Sequence, residues 1–418
     1  MTRVLVVDDS QFMRTVIGNA LSEADYDVET ATNGTEAIEA ATTYDPDVVT
    51  MDVEMPELGG IDAVERIMAT NPALILMLSV HTEDGAEATL DALERGAVDF
   101  LHKPDGSDSR TVADLSNEVV EKVDELADAN SSSIALARAA ASVHATRTTT
   151  SDVTDRAVAG GETGPEPAVG SGGPGGTRTR QGGSGSDVGI DLEIDETADH
   201  AGARPAAEFD LGDIELESED AIAPTVVIGA STGGPKIVEE LFERLPIGLD
   251  ATVLVVQHMP AEFTDRFAKR LDARSEYDVR EATDGESVVP GEAVVAPGDS
   301  HLAVDDDDGG RLRVRLDDSD RIHGVRPAID VTMETAAEQV DGPLCGVVLT
   351  GMGRDGAAGI EAISAAGGHT IAQDEATSPV FGIPCQAIET GCVDVVAPAT
   401  GLVEAIVDAF DTDGETDD

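Results

Sequence analysis

The chain has no tryptophan, and only 3% of its 418 residues are aromatic. It has three cysteines, Cys345, Cys385 and Cys392, and its only lysines are Lys103, Lys122, Lys236 and Lys269. Three scattered thiols exclude a disulfide framework and match no zinc spacing; they fit core packing in a reducing cytosol. No apolar run approaches the ~18 residues that a membrane-spanning helix needs. No charged-then-apolar leader opens the chain, so the expected location is the cytoplasm, without membrane insertion. The shortage of basic residues argues against nucleic acid and anionic membranes as partners, because both require a basic face.

Acid is what the chain has in excess. With 84 acidic and 26 basic residues its formal net charge is −58. Such density is self-repelling at ordinary ionic strength, whereas at molar salt the screening length falls to about 3 Å. The acids are spread throughout rather than gathered in a tail, so the composition reads as that of a halophile's cytosolic protein. A hydrophobic content of 41% is ordinary for globular domains, and the length leaves room for two or three of them.

From about Asp128 to Ala221 the composition shifts to Ser, Thr, Gly, Ala and acids, with glycine clusters at Gly170–Gly176 and Gln181–Ser186. A segment so poor in apolar residues cannot bury enough surface to fold, so a flexible linker is expected over 123–221. Asp210–Leu216 alternates acid with apolar residues and reads as a solvated tract, with a partner motif as the rival reading. A disordered acidic tail is expected over 411–418.

In the C-terminal half, Thr225–Ile228 reads as a buried parallel strand and Pro235–Leu241 as a helix start. Between them Gly229-Ala230-Ser231-Thr232-Gly233-Gly234 forms a tight strand-to-helix turn. Its glycines permit the bend, the helix N-terminus offers free N–H groups, and Ser231 is a candidate nucleophile in a G-x-S-x-G pattern. A phosphate-binding turn is the competing reading of the loop taken alone. Leu254–Gln257 is a second buried strand ending in His258-Met259-Pro260. Cys345–Leu349 is a third, running into Thr350-Gly351-Met352-Gly353-Arg354-Asp355-Gly356. Parallel strands end on one edge, so Ser231, His258 and Asp355 can meet there as nucleophile, base and orienting acid. That chain order differs from nucleophile-elbow hydrolases and from both protease orders.

The N-terminal half repeats the strand-end logic with different chemistry. Arg3–Val7 ends in Asp8 and Asp9, Asp47–Met51 ends in Asp52 with Glu54 beyond, Leu74–Leu78 ends in Ser79, and Ala97–His102 ends in Lys103. Three carboxylates at one edge repel one another and need a cation; hard oxygen ligands suit Mg²⁺. A nearby lysine and hydroxyl would serve a phosphoryl group.

Together with Ala372–Pro384, the C-terminal motifs resemble the catalytic domain of the CheB family of chemotaxis protein-glutamate methylesterases, and the N-terminal constellation resembles a two-component receiver domain. The resemblance covers roughly three quarters of the chain. It implies a flavodoxin-like five-stranded parallel receiver over 1–122 and a doubly wound Rossmann-like α/β esterase over 222–410. It implies the catalytic residues Ser231, His258 and Asp355, with the Met352 backbone as oxyanion donor. It implies Asp52 as phosphoacceptor, Asp8, Asp9, Asp52 and the Glu54 carbonyl around Mg²⁺, and Ser79, Phe100 and Lys103 as switch residues. No cofactor is implied for the esterase. The implied substrate is a glutamate methyl ester on methyl-accepting chemotaxis receptors, with receptor glutamine deamidation beside it, and the implied phosphodonor is a chemotaxis histidine kinase. The rival is a catalytically silent receiver-containing docking module. His301 is a rival base, or packs the cleft; Arg326 is a candidate substrate contact or an ion-pair residue; Met259 and Met352 are read as cleft packing; and Asp305–Asp308 with Gly309-Gly310 is read as a hairpin tip rather than a metal loop.

Overall fold

A computed structural model of the chain describes residues 2–80, 83–103, 112–128 and 222–411. The expected linker and acidic tail lie almost wholly outside them.

The N-terminal domain alternates five strands with five helices: β1 (Arg3–Val7), α1 (Gln11–Glu23), β2 (Asp27–Ala31), α2 (Gly34–Tyr44), β3 (Val48–Asp52), α3 (Gly60–Thr70), β4 (Leu74–Val80), α4 (Glu83–Glu94), β5 (Asp99–Lys103) and α5 (Val112–Asp128). The strands form one parallel sheet in the order β2-β1-β3-β4-β5. Its central strands are covered on both faces, which is why they read as unbroken apolar runs rather than alternating ones. α5 continues to Asp128, past the expected boundary at 122, because Leu115, Val119, Val123 and Leu126 keep a single buried stripe at helical spacing.

The C-terminal domain is built on seven parallel strands in the order β15-β14-β13-β6-β7-β10-β8. From the middle outward these are β6 (Thr225–Ala230), β7 (Thr252–Gln257), β10 (Glu292–Val295) and the edge strand β8 (Asp278–Glu281) on one side. On the other are β13 (Leu344–Val348), β14 (His369–Gln373) and β15 (Val395–Ala397). The chain runs outward from β6 through β7 to the edge strand β8, comes back to insert β10 between β7 and β8, and later winds outward from β13 on the other side. The order therefore reverses between β6 and β13, and a crevice opens at their carboxyl ends. Helices α6 (Gly234–Phe242), α7 (Ala261–Arg274) and α11 (Leu402–Asp408) share one apolar cluster with one face; α8 (Ile329–Gln339), α9 (Ala357–Ala365) and α10 (Ile383–Glu389) share another with the opposite face. On α7, Phe263, Phe267 and Leu271 are fully buried at a spacing of four, each contributing about 1.5–3 kcal/mol.

The doubly wound expectation omitted a three-stranded antiparallel sheet of β9 (Ser287–Val288), β11 (His301–Asp307) and β12 (Leu312–Asp317), inserted between β8 and α8. Asp308, Gly309 and Gly310 turn the β11–β12 hairpin, as read from the sequence.

Candidate active site

Register places the three expected residues at one edge. β6 pairs with β13 on one side and β7 on the other, so the loops that follow these strands meet. Ser231 opens the first loop, its N–H bonded to the Thr350 carbonyl at 3.0 Å. Gly233 then takes a φ of 79°, a left-handed conformation that suits glycine, and α6 begins. His258 follows β7 with its N–H on the Ala230 carbonyl at 3.0 Å. Asp355 lies in the turn after β13, 2% exposed.

His258 Nε2 lies 2.8 Å from Asp355 Oδ2. The same carboxylate accepts the Ile329 N–H at 2.7 Å and the Asp330 N–H at 3.0 Å, both at the start of α8. Burial works against its charge, but His258 and the two amides outweigh burial and hold the Asp355 carboxyl below the usual range. An ionised Asp355 requires the proton of neutral His258 to sit on Nε2, which leaves Nδ1 with the free lone pair. Ser231 and His258 line one cleft of about 550 Å³ with Met259, Arg326 and Pro327. Ser231 Oγ makes no hydrogen bond among the described residues.

Close packing sets the floor of the cleft. A Cβ on Gly351 would fall 2.6 Å from Ser231 Cβ, so only glycine lets this loop approach the serine. The Gly351 N–H is used by the Val380 carbonyl at 2.9 Å, while the N–H groups of Thr232 and Met352 have no partner among the described residues. Two residues that the sequence reading passed over hold the turn. Gln257 Nε2 donates to the carbonyls of Ser231 and His258 at 2.9 and 3.2 Å, and Thr350 Oγ1 donates to the Thr232 carbonyl at 3.0 Å. Both lie inside the quoted motifs, where a buried polar residue beside the candidate nucleophile was the available signal.

His301 is not in the cleft. It is fully buried, accepts the Ala328 N–H on Nδ1 at 3.1 Å and meets the Asp320 carbonyl through Nε2 at 3.2 Å, so both ring nitrogens are engaged structurally. Arg326 does line the cleft, with Nη1 on the carbonyls of Asp318 and Ser319 at 2.8 and 2.9 Å and no ion pair among the described residues. Met259 lines the cleft as expected, whereas the Met352 side chain packs with Val380 against the α1–α5 side of the N-terminal domain; an unbranched thioether fits that irregular gap.

In the N-terminal domain Asp8, Asp9, Asp52, Glu54, Ser79 and Lys103 line one cavity of about 270 Å³. Lys103 Nζ lies 2.7 Å from Asp8 and 2.8 Å from Asp52. Burial pushes the Asp52 carboxyl up to about 6 against the pull of Lys103. Asp8, Asp9 and Asp52 can each present an oxygen within 4.8 Å of the others. One ammonium against three carboxylates leaves the cavity short of positive charge, so the donor set fits a hard divalent cation.

The first domain also forms a wall of the cleft, through Asp99, Phe100, Leu101, His102 and Lys122. Gly233 N–H donates to the Val98 carbonyl at 2.7 Å, and Thr232 Oγ1 donates to Asp99 Oδ2 at 2.8 Å. Phe100 packs on Phe263 with centroids 4.3 Å apart. Arg270 ties Glu239 of its own domain at 2.9 Å to Asp91 and Glu94 of α4 at 2.8 and 2.6 Å. No local sequence signal marks these contacts.

The chain matches the CheB methylesterase family over residues 226–406 and the response regulator receiver domain over residues 4–113. It is 44% identical to a protein-glutamate methylesterase/protein-glutamine glutaminase of Haloarcula marismortui, covering 98% of each chain. It is 46% identical to the protein of the same name from Halobacterium salinarum, over 98% of this chain and 99% of that one. The chain belongs to the CheB family. A crystal structure of the Thermotoga maritima CheB methylesterase catalytic domain is 45% identical over 44% of this chain and 97% of that one, with a TM-score of 0.42. By the family matches, the N-terminal domain of this CheB-family chain is a receiver and the clefted domain its methylesterase domain. Among the described residues no helix is long and apolar enough to cross a membrane.

Proposed function

We propose that the chain is a cytoplasmic serine esterase that hydrolyses glutamate γ-methyl esters on chemoreceptors, deamidates receptor glutamines by the same route, and is restrained by its receiver until Asp52 is phosphorylated. The observation that carries the chemistry is the 2.8 Å pairing of His258 Nε2 with Asp355, across one cleft from Ser231. With Nε2 committed to Asp355, Nδ1 is the nitrogen that takes the Ser231 proton. Such serine–histidine contacts are commonly long in a free site and tighten around substrate. Ser231 Oγ bonds to the ester carbonyl carbon, and the oxygen that becomes negative is met by the free N–H groups of Thr232 and Met352, at the start of α6 and beside Gly351. Collapse breaks the C–O bond to the methoxy group, which leaves as methanol with the proton from His258. Water, deprotonated by His258, then cleaves the acyl-serine to give glutamate. With a glutamine side chain the leaving group is ammonia.

The receiver supplies restraint. Its Val98 carbonyl and Asp99 carboxylate bond to the two residues after the nucleophile, so the closed form both covers the cleft and holds the turn that Ser231 stands on. Asp8, Asp9, Asp52 and the Glu54 carbonyl would hold Mg²⁺, which offsets phosphoryl charge during transfer to Asp52 when it is bound. Lys103 and Ser79 are the groups that would read the phosphoryl oxygens, and the chemotaxis kinase is the proposed donor. The test is methanol release from methylated receptor membranes in molar salt. Ser231→Ala should abolish it, His258→Ala should nearly do so, and Asp355→Asn should cost orders of magnitude. Retained activity in Ser231→Ala refutes the serine mechanism, and loss in His301→Ala alone would move the base.

A further inference from the structure

Asp330 lies directly behind the proposed triad and has no part in the chemistry above. It is 2% exposed, a carboxylate buried on the first turn of α8. Its Oδ1 accepts the N–H of Gly356 and the N–H of Gly359, each at 2.8 Å. Gly356 is the residue after Asp355, and Gly359 lies on the first turn of α9. The two acids therefore hold one another's helices. Asp355, before α9, binds the first amides of α8, while Asp330, within α8, binds the first amides of α9. Neither carboxylate can shift without breaking the other's bonds.

Behind this lock stands a second imidazole. His323 Nε2 meets Asp330 Oδ2 at 3.0 Å, and its Nδ1 accepts from Arg354 Nε at 3.4 Å. Neutral His323 with Nδ1 accepting carries its proton on Nε2 and donates it to Asp330. An Asp–His pair thus backs the Asp355–His258 pair, with Asp330 and Asp355 offering oxygens within 4.8 Å of each other. Charge runs against this closeness: burial foremost, opposed by the amides and reinforced by the Asp355 charge, raises the Asp330 carboxyl, whereas that of Asp355 is lowered. A buried pair of like-charged acids costs stability, so what it gains is geometry.

We propose that Asp330 is a positioning residue of the esterase: it fixes the Gly356 turn and so holds Asp355 at the distance and angle that orient His258. The inference rests on the serine mechanism proposed above. The groups facing Asp330 are His323 and Arg354 on their loops, Asp355 before α9, and Glu334 one turn along α8.

The experiment compares full-length Asp330→Ala and Asp330→Asn in molar salt. Reactive sites are counted by fluorophosphonate labelling, and methanol release is measured per labelled site across pH. Asp330→Ala should lose about 10- to 100-fold in kcat with little change in KM, the usual scale for a misplaced supporting group. Asp330→Asn keeps an oxygen for the two glycine amides and should recover most of kcat. Because it also removes a negative charge near His258, its acidic limb of kcat/KM should move to lower pH. If both variants match wild type in kcat and pH profile per labelled site, and differ only in Tm or in the labelled fraction, Asp330 is structural and the proposal is overturned. If Asp330→Asn is as impaired as Asp330→Ala without a pH shift, positioning through the amides is wrong. Activity persisting in Ser231→Ala would instead overturn the mechanism on which the proposal rests.

Discussion

Removing the Asp99 carboxylate should release the esterase without phosphorylation. Asp99 Oδ2 accepts from Thr232 Oγ1 at 2.8 Å and pairs with Lys122 at 3.0 Å, while Oδ1 holds the Phe100 N–H at 2.8 Å. Its side chain is only 17% exposed, so the bond to Thr232 is partly shielded from water. A hydrogen bond to a charged acceptor contributes about 1.5–3 kcal/mol. The lower figure suits a cleft that water reaches. Lys122, held charged chiefly by Asp99, retains Glu125 at 2.9 Å after the substitution, so it is not stranded. The Val98–Gly233 bond and the Phe100–Phe263 contact remain, so the closed form is weakened rather than lost. At 1.4 kcal/mol per decade, about 1.5 kcal/mol moves the closed-to-open ratio about tenfold. Basal methanol release by unphosphorylated Asp99→Ala in molar salt should therefore rise about tenfold, up to the phosphorylated wild-type rate. Asp99→Asn, which keeps an acceptor for Phe100, should rise too. The reasoning fails if both variants stay within about twofold of wild type while still taking up phosphoryl from a small donor with Mg²⁺.

Three further outcomes follow from single contacts. The folded receiver binds the Asp52 proton more tightly than the unfolded chain does, with the carboxyl pushed up to about 6 from 3.8; this group's contribution therefore falls as pH rises through that interval. Asp52→Asn removes up to about 3 kcal/mol of strain at neutral pH; the receiver transition should rise by several degrees in calorimetry, and an unchanged or lower Tm would contradict it. Gly351→Ala places a methyl 2.6 Å from Ser231 Cβ and should reduce kcat by about 100-fold or more with the fold retained by circular dichroism; near-normal turnover would mean the loop yields easily. With a net charge of −58, Tm and activity should climb from about 0.1 M to about 2 M KCl, and a flat salt profile would remove the halophile reading.

The strand-end chemistry was legible because parallel strands deliver their C-terminal residues to one edge, whatever the order of the strands. Val226, Leu254 and Val347 announce burial by being apolar, and the polar residue ending each run announces the site. The Asp355 partner was legible for the same reason. Asp330 was not: in sequence it is an acid on the first turn of a helix, where acids are common for the dipole alone. Of the β9–β11–β12 sheet only the hairpin tip at Asp308–Gly310 was legible; β9 pairs with β12 across the intervening β10, and no local pattern marks that pairing. The Thr232–Asp99 bond spans 133 positions and depends on how one folded domain rests on another, which no local pattern encodes.

The arrangement explains how one covering domain could govern the three separate loops that carry the proposed triad. The loop after β6 carries Ser231 and is bonded by Val98 and Asp99. The loop after β7 carries His258 and leads into α7, whose Phe263 meets Phe100 and His102. The loop after β13 carries Asp355, and its Met352 side chain lies against α1 and α5. A doubly wound parallel sheet presents all three loops on one edge, so a single receiver face reaches them together. Asp99, Phe100, His102 and Lys103 share β5, and Lys103 is the residue bridging Asp8 and Asp52. A phosphoryl group on Asp52 would draw Lys103 toward new oxygens and strain β5 at one end. At the other end of that strand stand the bonds to the nucleophile turn. A restraint of this kind acts on the orientation of the proposed triad as well as on access to it, so phosphorylation should raise kcat and not only lower KM. A change confined to KM would reduce the receiver to a lid.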